Sequence, residues 1–345
     1  MTIRVLIIDD SPTMRAILLA RLREQHDIEV VGTASNAVEG REMIKRLDPD
    51  VVTLDIEMPG MNGLDFLEKI MTLRPTPVIV VSGMTRDGSE ATARALGLGA
   101  VDCYAKYDPA GRLALQDGGE LAAMVRTAAQ VRFHRPVSHA VSRAVADESR
   151  RSIRRDTRLI AIGSSTGGVE ALQVLLRDFA ADCPPTLIVQ HVNPRFAPAI
   201  AVTLDQACPA RVQIAGQDMP LRAGNVYLAA EAECHLTVRA GPGGGLHARL
   251  RRGEPVSGHI PSVDALFASA AAELGGGAVG ILLTGMGQDG ARGLLAMSRA
   301  GAHTIAQDED SCTVFGMPRA AISLGAARVV APLDRIARHA LHQAA

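Results

Sequence analysis

Short β-rich runs alternate with amphipathic stretches twice along this chain, and an arginine-rich segment with no sustained apolar period separates the two series. Such alternation forces a parallel sheet, because a parallel neighbour is reached only through a crossover, and the crossover helices then cover both faces. Two series in 345 residues predict two α/β domains. The first has β-rich runs at Ile3–Ile8, Glu29–Val31, Val51–Leu54, Val78–Val81 and Val101–Ala105. Helical stretches at Thr13–Glu24, Ala37–Leu47, Gly63–Thr72, Ser89–Leu98 and Glu120–Ala129 accompany them. This pattern, assigned to residues 1–125, fits the flavodoxin-like order with a five-stranded parallel sheet. Residues 126–156 read as a linker: from Arg126 to Arg158 there are nine Arg against three acids, a composition that solvates well. Residues 157–345 read as a larger, mostly parallel α/β unit, with strands at Leu159–Ile162, Thr186–Gln190, Asn225–Leu228, Val279–Thr284 and Thr304–Ala306. Its helices are expected at Val169–Phe179, Ser262–Leu274 and Gly290–Arg299, and Gly241–Gly245 reads as a turn between two strands.

The net charge of −1 gives no bias toward nucleic acid or an anionic membrane. Aromatics are 3% and Trp is absent, which argues against a base-stacking platform. The five cysteines are odd in number and form no C-x-x-C pair, so a reducing, cytoplasmic setting is expected. No run of 18 apolar residues predicts a membrane span. A monomer is the default expectation.

In parallel sheets, ligands bind beyond the carboxyl ends of the strands. In the first domain these ends carry Asp9 and Asp10, Asp55, Ser82 and Lys106, each set after its own strand. A single acid at such a place is more often a helix cap. Three converging carboxylates instead repel one another unless a cation sits among them, and oxygen-only ligands favour Mg²⁺. A lysine and a hydroxyl opposite the metal could then hold a phosphoryl group.

This set resembles the response-regulator receiver family over residues 1–125. The resemblance implies that Asp55 accepts a phosphoryl group from a histidine kinase or a small phosphodonor. It also implies that Asp10, Asp55 and the Glu57 backbone bind Mg²⁺ with Asp9 assisting, while Ser82 and Lys106 contact the phosphoryl oxygens. Two positions depart from the family pattern: Tyr107 stands where proline is usual, and Cys103 where an aromatic is usual, with Tyr104 beside it.

In the second domain, Gly163–Gly167 is a G-x-S-x-G turn between a strand and a helix, which exposes its central serine, Ser165, at the sheet edge. Ser164 is the competing nucleophile. The turn matches neither a nucleoside-triphosphate loop nor a dinucleotide fingerprint. His191 directly follows the strand Thr186–Gln190 and is the preferred base; His235, His247, His259 and His303 are alternatives. Asp289, in the glycine-rich Thr284–Gly290 loop, would orient the imidazole or else cap the next helix. The chain order Ser, His, Asp differs from that of α/β-hydrolases.

Ile162–Gly168, Gln190-His191, Pro261–Asp264 and Thr284–Gly290 resemble the catalytic domain of chemotaxis protein-glutamate methylesterases. That resemblance implies Ser165 as nucleophile, His191 as base, Asp289 as orienting acid and the Met286 amide as oxyanion donor, with no cofactor for the hydrolase. It implies methylated chemoreceptors as substrates, with glutamine deamidation in addition, and activation by phosphorylation of Asp55. Ile260 stands where arginine is expected. Two alternatives remain open at this point: a relative serving a chemotaxis-like pathway, and a non-catalytic phospho-switch. A DNA-binding output is disfavoured, because no short helix-turn-helix with a basic helix is present.

Overall fold

The computed structural model describes residues 2–58, 63–83, 86–107, 118–131 and 157–341. The chain divides into two compact units between Phe133 and His134. The first unit runs β1 (Ile3–Ile8), α1 (Pro12–Arg23), β2 (Ile28–Ala34), α2 (Ala37–Leu47), β3 (Val51–Asp55), α3 (Gly63–Leu73), β4 (Val78–Ser82), α4 (Arg86–Gly97), β5 (Asp102–Ala105) and α5 (Glu120–Ala128). Its five strands are parallel in the order β2-β1-β3-β4-β5, as the alternation requires. Ser11 and Asn36 cap α1 and α2 with side-chain acceptors, which ends each preceding loop sharply.

Arg126, which the sequence places in the linker, belongs to α5 and pairs with Asp27 at 2.7 Å. The rest of that linker, residues 132–156, lies outside the described residues. Tyr104 is buried with Leu18, Leu121 and Val125 of α1 and α5, its ring 5.6 Å from the Arg21 guanidinium, which also meets its hydroxyl. Side chains alternate faces along a strand, so Cys103 points to the other side of the sheet. Tyr104 therefore does not stand in for the missing ring at Cys103.

The second unit contains β6 (Leu159–Ser164), α6 (Gly168–Leu176), β7 (Thr186–Gln190), α7 (Ala197–Ala207), β8 (Arg211–Ile214), β9 (Met219–Pro220), β10 (Asn225–Leu228), β11 (Cys234–Ala240) and β12 (Leu246–Arg252). It continues with α8 (Val263–Leu274), β13 (Ala278–Leu282), α9 (Ala291–Arg299), β14 (His303–Gln307), α10 (Met317–Ser323), β15 (Val329–Ala331) and α11 (Leu333–Leu341). Seven strands form a parallel sheet in the order β15-β14-β13-β6-β7-β10-β8, and β11-β12-β9 form a small antiparallel one. The Gly241–Gly245 turn joins β11 to β12, as its composition predicts. β6, β7 and β13 are adjacent and central, so their carboxyl ends open on one edge. No helix among the described residues is long and apolar enough to cross a membrane.

Helix α8 lies directly on β6. A Cβ at Gly163 would stand 2.2 Å from Val263 Cγ1, so only glycine admits this approach. Gly163→Ala should therefore destabilise the unit by about 1–3 kcal/mol through overpacking. A second change, Val263→Ala, should recover part of that loss in denaturant unfolding; no recovery would show that the contact is not the cause.

Candidate active site

Gly167, at φ 72°, opens α6 and turns the chain after β6. The two serines before it meet different fates. Ser164 is fully buried, and its hydroxyl donates to Gln190 Oε1 at 2.6 Å. Ser165 is half-buried at the sheet edge, with its amide held by the Thr284 carbonyl at 3.0 Å. Gln190 also donates to the carbonyls of Ser165 and His191 at 2.8 and 2.9 Å. This amide was not singled out from sequence, yet it locks the ends of β6 and β7 together. The backbone bond from His191 to the Ser164 carbonyl, 3.0 Å, extends the same pairing by one residue.

His191 Nε2 meets Asp289 Oδ2 at 2.9 Å, with both side chains nearly excluded from solvent. Asp289 does not act mainly as a cap of α9, whose N-cap is Gly290. Its carboxylate sits instead on the N-terminus of α8. It accepts from Ser262 Oγ at 2.8 Å, from the amides of Val263 and Asp264 at 2.8 and 3.0 Å, and from the Gly290 amide at 3.0 Å. Burial alone would raise this carboxyl, but the bonds from His191 and the α8 amides outweigh it and hold Asp289 below the usual aspartate value. An ionised carboxylate only accepts, so Nε2 is the donor of this pair. Nδ1 is buried and makes no hydrogen bond among the described residues.

Gly285 lies against Ser165: a Cβ there would stand 2.6 Å from the serine Cβ. Met286 follows it in the same loop, so the proposed oxyanion amide belongs to the segment that borders Ser165. Of the alternative bases, His235 accepts from the Ser262 amide at 3.2 Å and reaches the Glu254 carbonyl at 3.0 Å, which commits both ring nitrogens to the backbone. His259 is stacked flat on His191, with centroids 3.9 Å apart and planes 9° apart. Asp264 is buried and faces Ser257 and Gly293 rather than His191. Burial, with the Asp289 charge adding, raises its carboxyl above the ordinary value, although the bonds from Ser257 and Gly293 oppose this.

In the first unit, one carboxylate oxygen from each of Asp9, Asp10 and Asp55 lies within 4.8 Å of the others. Asp9 and Asp55 are buried and Asp10 is exposed. Lys106 Nζ reaches Asp55 Oδ2 at 2.6 Å and Asp9 Oδ2 at 3.1 Å. Burial pushes Asp9 above its ordinary value; Lys106 opposes the rise and the Asp55 charge adds to it. Burial pulls Lys106 the other way, but its bonds to Asp55 and Asp9 prevail and keep the ammonium raised. The Glu57 amide donates to Asp55 Oδ1 at 3.0 Å, which draws that residue's backbone into the cluster. Ser82 is buried at the end of β4, and its hydroxyl lies 3.0 Å from the Gly83 carbonyl and 3.2 Å from that of Gly88.

Comparison with known proteins adds a second line of evidence. A family model described as CheB methylesterase matches residues 160–340, and one described as response regulator receiver domain matches residues 5–115. A protein-glutamate methylesterase/protein-glutamine glutaminase of Rhizobium etli is 50% identical over 98% of this chain and 95% of its own length. A counterpart from Caulobacter vibrioides is 51% identical, covering 94% of this chain and 93% of its own. Among solved structures, the CheB methylesterase catalytic domain of Thermotoga maritima superimposes with a TM-score of 0.51 at 31% identity, over 53% of this chain and 96% of that one.

The carboxylate of Asp289 gives a stability test. Asp289→Ala leaves the Ser262 hydroxyl and the Val263 and Asp264 amides without their buried acceptor, a loss of about 2–5 kcal/mol at neutral pH. Because the folded value of Asp289 is depressed, its stabilisation is complete above the unfolded aspartate value and is lost as pH falls through the folded one. The gap between wild type and variant in urea midpoints should narrow on acidification; a constant gap would contradict an ionised Asp289.

Proposed function

We infer the function from one premise: this chain belongs to the CheB methylesterase family, and it carries a response regulator receiver domain ahead of the catalytic one. It is a protein-glutamate methylesterase, a carboxylic ester hydrolase of chemotaxis that demethylates chemoreceptors under the control of receiver phosphorylation. The observation that supports the chemistry is the buried His191–Asp289 pair, on the same sheet edge as the half-buried Ser165, since one Gln190 amide bonds the carbonyls of both Ser165 and His191.

We propose that Ser165, His191 and Asp289 act as one unit. Ser165 Oγ attacks the carbonyl carbon of the glutamyl methyl ester and passes its proton to His191 Nδ1. Asp289 holds the imidazole by Nε2 and stabilises the imidazolium that forms. The carbonyl oxygen becomes an oxyanion, met by the Met286 amide and by the N-terminal turn of α6. Collapse expels methanol with the proton from His191. Water, deprotonated in turn by His191, then attacks the acyl-enzyme, releasing the glutamate carboxylate and restoring Ser165. An amide carbonyl enters the same cycle with ammonia leaving, which supports glutamine deamidation as a second activity.

Asp55 is the proposed phosphoryl acceptor, and a histidine kinase the proposed donor. Three carboxylates against one lysine leave the cluster with excess negative charge, so the donor set fits a divalent cation held by Asp9, Asp10, Asp55 and the Glu57 backbone. Mg²⁺ bound there would neutralise charge on the incoming phosphoryl oxygens. Lys106, already on Asp55, would keep its contact through the new oxygens, and Ser82 would turn toward them. The first unit through the end of α5 and residues 157–345 are the proposed working domains, with a linker between them.

Methanol release from methylated receptor membranes tests the hydrolytic unit. Ser165→Ala and His191→Ala should each lose at least about 10³-fold in kcat, while Ser164→Ala stays active. The reverse pattern in the two serines would move the nucleophile. For the receiver, Asp55→Ala should abolish labelling by a phosphodonor, and excess chelator should suppress labelling of the wild type. A phosphodonor should raise the wild-type hydrolytic rate and leave that of Asp55→Ala unchanged.

A further inference from the structure

His259 lies between β12 and α8, outside any helix or strand, and a tight turn holds it in place. Val256 and His259 exchange both backbone hydrogen bonds, at 3.1 and 3.2 Å, and so close a two-residue turn. The central residues, Ser257 and Gly258, have φ of 52° and 84°. Positive φ at both positions is the signature of a type I′ turn, a conformation that glycine takes freely and serine takes at a cost. Ser257 is fixed in this conformation from outside the turn, since its hydroxyl donates to Asp264 Oδ2 at 2.7 Å. Asp264 Oδ1 accepts from the Gly293 amide at 2.7 Å, and the Asp264 amide donates to Asp289 at 3.0 Å. The contacts thus form a closed ring: Asp289 to Asp264, Asp264 to Ser257, the turn to His259, His259 flat on His191, and His191 back to Asp289.

We infer that His259 is a positioning residue for His191, a flat cover that holds the base in the plane from which Nε2 reaches Asp289. This rests on the assignment of His191 as the base. A single hydrogen bond through Nε2 fixes one point of the ring and leaves rotation about that axis open; a parallel ring at 3.9 Å closes that freedom. Burial, and then the neighbouring His191, holds His259 below the ordinary imidazole value, with Asp289 opposing, which disfavours a second positive charge beside His191. His259 needs neither to touch substrate nor to exchange a proton for this role.

The test uses the full-length protein with a small phosphodonor, reading kcat and KM for methanol release from methylated receptors. His259→Ala should lower kcat about 10- to 100-fold with KM nearly unchanged, as expected when a reacting group loses orientation. His259→Phe keeps a flat ring and should recover most of kcat. Ser257→Ala, which frees the turn from Asp264, should show a smaller loss of the same kind. If the alanine protein does not fold, His259→Leu replaces it, with similar bulk and no flat face. Wild-type kcat in His259→Ala or Leu, or no rescue by Phe, overturns the inference while His191→Ala remains inactive. Activity that survives His191→Ala overturns the assignment of the base, and this inference with it.

Discussion

A single buried carboxylate organises the hydrolytic half of this protein. Asp289 is seated on the first turn of α8, where unpaired amides and the helix dipole favour a negative charge. The same group receives the imidazole of His191 from the end of β7. One ion therefore joins the β13–α9 loop, a helix N-terminus and a central strand. Burial, which ordinarily disfavours a carboxylate, is offset here by fixed donors, and those donors also fix where the imidazole must lie.

The receiver solves the opposite problem. Its carboxylates at the ends of β1 and β3 are gathered without enough donors, and Lys106 answers only part of their charge. The donor set of this cluster fits a cation, whereas the Asp289 carboxylate already has its donors in place.

Sequence reasoning placed residues best at the ends of strands. Asp55, Lys106 and His191 each come directly after an apolar run, and parallel topology alone brings such ends to one edge of a sheet. Ser165 and Ser164 differ for the same reason, since only the residue past the strand escapes full burial. Asp289 was ambiguous because its bonding partners on α8 lie about 25 residues away, and a local cap and a distant one look alike in sequence. His259 had no signal beyond being a histidine: its place comes from a turn pinned by Asp264. Tyr104 stands next to Cys103 in sequence but faces the other side of the sheet, which adjacency alone does not reveal. Helices α7 and α10 escaped because Pro198 and Pro318 stand in their first turns and read as breakers, and α10 spans only seven residues.

The hydrolytic site is also dispersed along the chain, with His191 and Asp289 98 residues apart. During synthesis, β6 and β7 emerge well before the strand and loop that carry Asp289, so His191 lacks its carboxylate partner until most of the second unit has been made. The receiver, lying wholly upstream, has its full set of strands by then, and domains generally fold in the order in which they emerge. The order of the genetic message therefore has a temporal meaning: at no stage of its making does this chain hold a finished hydrolase without a finished regulator ahead of it.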